Sequence, residues 1–128
     1  LVGFLAVALG AFGAHGLQGY FRDSDLSMTD QAQRLGWWDT GTRYAAYHAL
    51  ALLALAWVAV RAPSRAATVA GVGFLTGVLL FTGSLVVMTL TGVKLLGAVT
   101  PFGGLGFLVG WAALSFAGRD AFSSPDTT

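Results

Sequence analysis

The feature that most constrains this chain is where its few charges fall. Lys, Arg and Asp leave four windows free of any charge: 1–21, 44–60, 66–93 and 95–118. A helix rises about 1.5 Å per residue and needs roughly 20 residues to cross about 30 Å of hydrocarbon, so the windows accommodate four spans and not five. Backbone in lipid must pair its own N–H and C=O groups, which makes each window a helix whatever its Gly and β-branched content favours. Only 10% of the 128 residues are charged and 55% are hydrophobic, whereas about a quarter of an ordinary soluble domain is charged. The fold expected is all-α: an integral membrane protein with four transmembrane helices in an up-down bundle.

Local signals set the boundaries, giving spans of about 1–21, 40–60, 66–92 and 100–118 within a transmembrane domain 1–118. The second window is short, so its helix is placed from Thr40, with Asp39 or Thr40 as N-cap and Arg43 snorkelling from the first turns. Thr100-Pro101 suits an N-cap followed by Pro at the first helical position, which leaves 93–99 as a short apolar hairpin with Lys94 reaching for water. The polar stretch 22–39 carries Met28, Ala32 and Leu35 at helical spacing beside Trp37 and Trp38. That pattern reads as one short interfacial amphipathic helix ending in an aromatic belt. Residues 119–128 read as a frayed polar tail.

The first window is longer than the apolar core of a signal peptide and no cleavage site follows it, so it is kept as a span. The chain opens with Leu instead of Met, and residues are expected to precede it. Arg61, Arg65 and Arg119 fall on one side against Arg22, Arg34, Arg43 and Lys94 on the other. The acid-free loop 61–65 tips this small bias toward both termini in the cytoplasm of a multi-pass inner-membrane protein.

Several function classes drop out. A net charge of +1 and a pI near 8.4 offer no basic stripe to nucleic acid. Without cysteine there is no thiolate metal site or thiol nucleophile. The Gly-rich run 10–16 lies inside a span, where it does not follow a strand and cannot cradle phosphate; with no hydrolase elbow or dinucleotide fingerprint either, no enzyme is expected. Small residues are plentiful: Gly73 with Gly77 and Gly106 with Gly110 form GxxxG pairs, and Ala6, Gly10 and Ala14 form a stripe. Such residues let backbones approach closely, either within this bundle or against another protein.

On an up-down path the polar residues collect in one half. His15 lies seven residues before Arg22 and His48 five after Arg43, which places both at one shallow depth beside Gln18, Tyr20, Tyr44, Tyr47, Ser84, Thr89, Thr91 and Thr100. The other half is apolar apart from Trp57, Thr68, Trp111 and Ser115. An ionisable group within a span is a functional candidate by default. Tyr44 and His48 share a helix face, as do Arg43 and Tyr47, while Arg43 and His48 point about 140° apart. His48 must therefore look to another helix, with His15 or Ser84 the nearest partners. The candidate cluster is His15, Arg43, Tyr44, Tyr47, His48, Ser84 and Thr100. Three readings stay open: two-histidine haem ligation, a test that any bundle with two histidines would pass; a quinone head group or lipid hydrogen-bonded by His15 or His48; or interhelical hydrogen bonds that fix the bundle. Zinc lacks ligands here, and a proton relay lacks a buried carboxylate, so no metal or cofactor is assigned.

Four ordered blocks carry a resemblance: residues 12–17 (FGAHGL), 40–50 (TGTRYAAYHAL), Gly83-Ser84-Leu85, and Thr100-Pro101-Phe102-Gly103-Gly104 with Gly110-Trp111. Together they resemble the domain-of-unknown-function 423 family of small membrane proteins, which includes the transmembrane protein 256 group. The resemblance implies a polytopic protein with about four helices and no established biochemical activity, and places His15, Arg43, Tyr44, His48, Ser84, Thr100 and Pro101 in family motifs. The interval between Leu17 and Thr40, with Asp23, Asp25 and Asp30, is more acidic than that pattern. The function expected is a non-enzymatic accessory or structural subunit of a larger membrane complex, or a homo-oligomer. The alternative is an intramembrane binding module for a quinone, lipid or cofactor near His15 and His48.

Overall fold

A computed structural model describes residues 1–123, all of them in helices and the turns between them. Four helices are long and apolar enough to span a membrane. They are α1 (Val2–Arg22), α2 (Met28–Arg61), α3 (Arg65–Thr91) and α4 (Thr100–Ser123), with a 3-10 turn at Lys94–Ala98 before α4. One π-turn interrupts α1 at Gly13–Leu17 and another interrupts α3 at Val78–Thr82.

The largest departure from the sequence reading concerns α2. Residues 28–39 are helical but do not form a separate interfacial element; they are the first turns of a 34-residue helix. Its N-cap is Ser27, not Asp39 or Thr40: the Ser27 hydroxyl accepts from the Asp30 amide at 3.1 Å and donates to the Asp30 carboxylate at 2.7 Å. The hydroxyls placed to cap near residue 40 are used otherwise. Thr40 donates back to the Gly36 carbonyl at 2.9 Å and Thr42 to Trp38 at 3.0 Å, a mid-helix pattern that lets the helix run through. At about 51 Å, α2 is roughly 20 Å longer than a hydrocarbon core is thick.

Two more ends differ. The fourth span does not stop at Gly118: α4 continues to Ser123, and Ala121 is buried in the core. The rest of the expected polar tail, 124–128, lies outside the described residues. The α4 helix does begin at Thr100-Pro101, but the Thr100 hydroxyl bonds Ser84 Oγ across to α3 at 2.9 Å. In place of a plain hairpin, Gly92 ends α3 in the left-handed region at φ 76°, donating to the Met88 carbonyl at 2.8 Å, as glycine does after a helix.

Packing is unequal among the four helices. In the most apolar stretch of α3, 39% of residues are buried within the chain, against 17% for both the first and the fourth span, so α3 is central. The main core joins α2, α3 and α4 through Ala51, Leu55, Ala70, Phe74, Phe107 and Leu114. Leu17, Phe21 and Trp38 form a second cluster between α1 and α2. The α3 and α4 backbones meet at the two GxxxG pairs. A Cβ on Gly73 would stand 2.8 Å from the Gly106 carbonyl and 2.9 Å from the Gly110 nitrogen, and one on Gly106 would stand 3.1 Å from the Gly73 carbonyl. Gly77 backs onto Phe107 and Gly110 onto Phe74. Gly10 plays no such part: a Cβ there meets nothing within 4 Å, and the glycine of α1 that takes a neighbour's side chain is Gly13, under the Trp38 indole. Of the stripe expected at Ala6, Gly10 and Ala14, Ala6 is buried, while Gly10 and Ala14 border an open crevice beside Leu35 and Trp38 of α2.

Candidate functional site

The buried face of α2 repeats at helical spacing through Thr42, Ala45, His48, Ala51, Leu55 and Val58. His48 is the one ionisable member, and only 4% of its surface is exposed. Its ring lies flat on Phe107, with centroids 3.4 Å apart and planes 7° apart, and Phe74 tilts against it at 5.6 Å. His48 Nδ1 is 2.8 Å from the Tyr44 carbonyl oxygen, and Trp111 Nε1 donates to His48 Nε2 at 3.2 Å. An indole N–H only donates and a carbonyl only accepts. Nε2 must therefore be the bare nitrogen and Nδ1 the protonated one, which fixes a neutral imidazole in a single tautomer. With both nitrogens engaged, the ring offers neither a lone pair nor a proton to a third group unless Trp111 leaves.

The structure does not bring His15 and His48 together. Gly3 of α1 lies against Ala49, where a Cβ added to the glycine would stand only 3.6 Å from Ala49 Cβ, while Leu9 and Gly13 lie against Trp38. His48 is therefore level with about residue 4 of α1, and His15 with about residues 35–36 of α2, roughly 17 Å apart along the axis. The shared depth failed because Arg22 and Arg43 do not mark one level: Arg22 is level with the first turn of α2, about fifteen residues before Arg43. His15 is exposed and turned away from α2.

The other candidates fall into separate places. Ser84 bonds Thr100 and the Phe81 carbonyl, not His48. Tyr44 stacks on Phe81 at 4.7 Å and leans on Tyr47, which is exposed. Arg43 pairs with Asp39 one turn earlier on the outer surface of α2. The partner that His48 does have, Trp111, stands among the few polar exceptions of the other half and was not among the partners expected for it. Among the described residues no group of three His, Cys, Asp or Glu gathers as a metal site would need.

Sequence reasoning missed a second set of interhelical bonds. Trp38 is buried, and its indole donates to the Leu9 carbonyl of α1 at 2.9 Å, so it is no belt residue. Thr82 donates to the Gly41 carbonyl at 2.9 Å, and the Thr89 hydroxyl reaches the Leu85 and Arg34 carbonyls at 2.8 and 3.1 Å. Arg34 returns a bond from Nη1 to the Thr89 carbonyl at 3.2 Å and lies over Phe21. The available signal was the seven-residue spacing of Thr82 and Thr89 in an apolar helix, which puts both hydroxyls on one face. Among the described residues, every buried side-chain nitrogen and oxygen has a partner.

These features define a four-helix polytopic membrane protein whose buried polar side chains are bonded within and between its helices. Residues 9–104 match the family described as "Protein of unknown function (DUF423)", and the chain belongs to it. It is 40% identical over 114 residues to the UPF0382 membrane protein YwdK of Bacillus subtilis, covering 88% of this chain and 85% of that one. It is 43% identical over 112 residues to the UPF0382 inner membrane protein YgdD of Escherichia coli K12, covering 88% and 79%. The UPF0382 membrane protein of Haemophilus influenzae is 40% identical over 116 residues, covering 91% and 86%. No solved structure matches the chain. With four spans and relatives of this kind, it is a multi-pass inner-membrane protein of a family for which no activity is indicated.

Proposed function

We propose that this chain is a non-enzymatic accessory or structural subunit that packs against a larger membrane protein through the outer face of α1. The observation that carries the reading is the direction of His15. It lies inside the charge-free window of α1, yet it is exposed and sits on the face shared by Phe4, Ala8 and Ala11, away from Leu9, Leu17 and Phe21, which meet α2. Ionisable and polar side chains within spans almost always face a protein interior or a wet cavity. A histidine turned outward, one turn beyond the small Ala11, fits an interior completed by another protein, since small residues admit close helix approach.

The test is to tag the full chain, extract it from native membranes in mild detergent and determine the mass and stoichiometry of the complex, then repeat with Ala11→Trp. The expected result is a discrete complex with fixed stoichiometry that Ala11→Trp dissolves while the chain keeps its own unfolding midpoint. A chain that migrates alone, or a complex indifferent to Ala11→Trp, overturns the proposal.

A further inference from the structure

At the end of the bundle opposite His15, α2 and α4 run side by side toward Arg61 and Arg119. In the middle of the membrane the gap between them is filled by His48, Phe107 and Trp111. One and two turns past Trp111, the same face of α4 presents the small Ser115 and Gly118 beside Leu114, and α2 answers with Ala54. The gap stays open as a groove of about 860 Å³, walled by Ala54, Trp57, Val58, Leu114, Ser115 and Gly118. Ser115 turns its hydroxyl back to the Trp111 carbonyl at 2.9 Å, so the walls are apolar in practice. The groove reaches the surface at Arg119. Beside that mouth the Arg61 guanidinium lies over the Trp57 ring at 5.0 Å, and exposed Arg65 opens α3 on the same side. From Thr40 through Arg119 the sequence contains no acidic residue, and Asp120 follows Arg119 directly.

We propose that this groove seats an acyl chain of an anionic phospholipid, with its phosphate among Arg61, Arg65 and Arg119. The walls lie one to two turns inside the arginines, at acyl depth, and open sideways toward lipid. Guanidinium groups match phosphate oxygens in a planar, charge-assisted geometry, and basic pockets between transmembrane helices bind anionic head groups. Trp57 holds the Arg61 guanidinium at head-group level, where Trp and Arg both favour the interface. Apolar walls select the chain; the arginines select the charge.

The test is native mass spectrometry of the purified full chain in mild detergent, titrated with phosphatidylglycerol or with phosphatidylcholine of identical acyl chains. One phosphatidylglycerol per chain is expected to bind at least tenfold more tightly than phosphatidylcholine. Arg65→Gln should weaken it about fivefold, the worth of one arginine near a head group. A Cβ at Gly118 meets nothing within 4 Å, so Gly118→Leu fills the groove without disturbing the fold, and it should abolish the tight site while the unfolding midpoint is kept. Equal binding of the two lipids overturns the charge half of the proposal. Phosphatidylglycerol binding that survives Gly118→Leu in a folded chain overturns the groove, as does loss on Gly118→Leu of a protein partner instead of a lipid.

Discussion

Substituting Gly73 by Ala tests the closest helix approach in the molecule with the addition of one methyl group. The new Cβ would sit 2.8 Å from the Gly106 carbonyl oxygen, 2.9 Å from the Gly110 nitrogen and 3.0 Å from Gly110 Cα. All three are backbone atoms, so no side chain can swing aside, and α3 and α4 must part by about 0.6 Å to restore ordinary contact. A gap of that size forfeits about a third of each atom pair's attraction. For a patch of about 40 pairs at about 0.15 kcal/mol each, the loss is about 2 kcal/mol, within the roughly 1–3 kcal/mol typical of overpacked cores. Helix propensity adds little in compensation, because the separated helices stay helical in lipid. Two controls scale the effect. Gly106→Ala meets its nearest backbone atoms at 3.1 and 3.2 Å and should cost less, about 1 kcal/mol. Gly10→Ala meets nothing within 4 Å and should stay within about 0.5 kcal/mol of the parent. Reversible unfolding in mixed micelles with rising SDS, followed by circular dichroism and tryptophan emission, gives the three differences. Equal midpoints for Gly73→Ala and Gly10→Ala would refute the packing argument.

Two further outcomes follow from named bonds. The imidazole ¹⁵N spectrum should show His48 as the Nδ1–H tautomer, and Trp111→Phe, which removes the bond from the indole to Nε2, should cost about 1 kcal/mol as interhelical hydrogen bonds do; an Nε2–H tautomer in the parent contradicts the geometry. Gly92→Ala forces a side chain into a left-handed position at φ 76° and drives its Cβ into the Arg34 guanidinium, so it should cost about 1–2 kcal/mol from the backbone alone and more from the lost Arg34–Thr89 bond; an unchanged SDS midpoint counts against both.

Helix number, type and approximate placement were legible because lipid leaves one solution for the backbone, and four charge-free windows count the spans directly. Pairing of α3 with α4 was half legible: the GxxxG pairs announced a close approach, but only the fold shows that each faces the other. The polar sites were less legible, for two physical reasons. Charge marks where a helix leaves the membrane only when the helix ends there, and α2 runs on through Asp39 and Arg43 to Ser27, so depths counted from Arg43 misplace His48 relative to His15. Hydrogen-bond partners were sought among other polar side chains, whereas most are backbone carbonyls: Leu9 for Trp38, Gly41 for Thr82, Arg34 for Thr89. Carbonyls leave no trace in residue type.

The π-turn of α1 ties the hidden packing to the exposed face. Leu9, Gly13, Leu17 and Phe21 all meet the α2 side, through the Trp38 bond, the Trp38 indole and the second apolar cluster. They are spaced by four. In an uninterrupted α-helix a row at that spacing drifts about 40° per step, about 120° over the three steps, and Phe21 would leave the interface. The π-turn at Gly13–Leu17 takes an extra residue into one turn and returns about 100° of that drift, so the row stays in line. Gly13 is the member that must lack a side chain, because the Trp38 indole occupies the place of its Cβ. His15 lies two residues on from Gly13, on the far side of the helix, and is exposed there. The register that seats Phe21 and Trp38 thus also fixes His15 on the outer face of α1. A partner that covers His15 would meet a face held in place by the α1–α2 contact, and loosening that contact by filling Gly13 should disturb the two together.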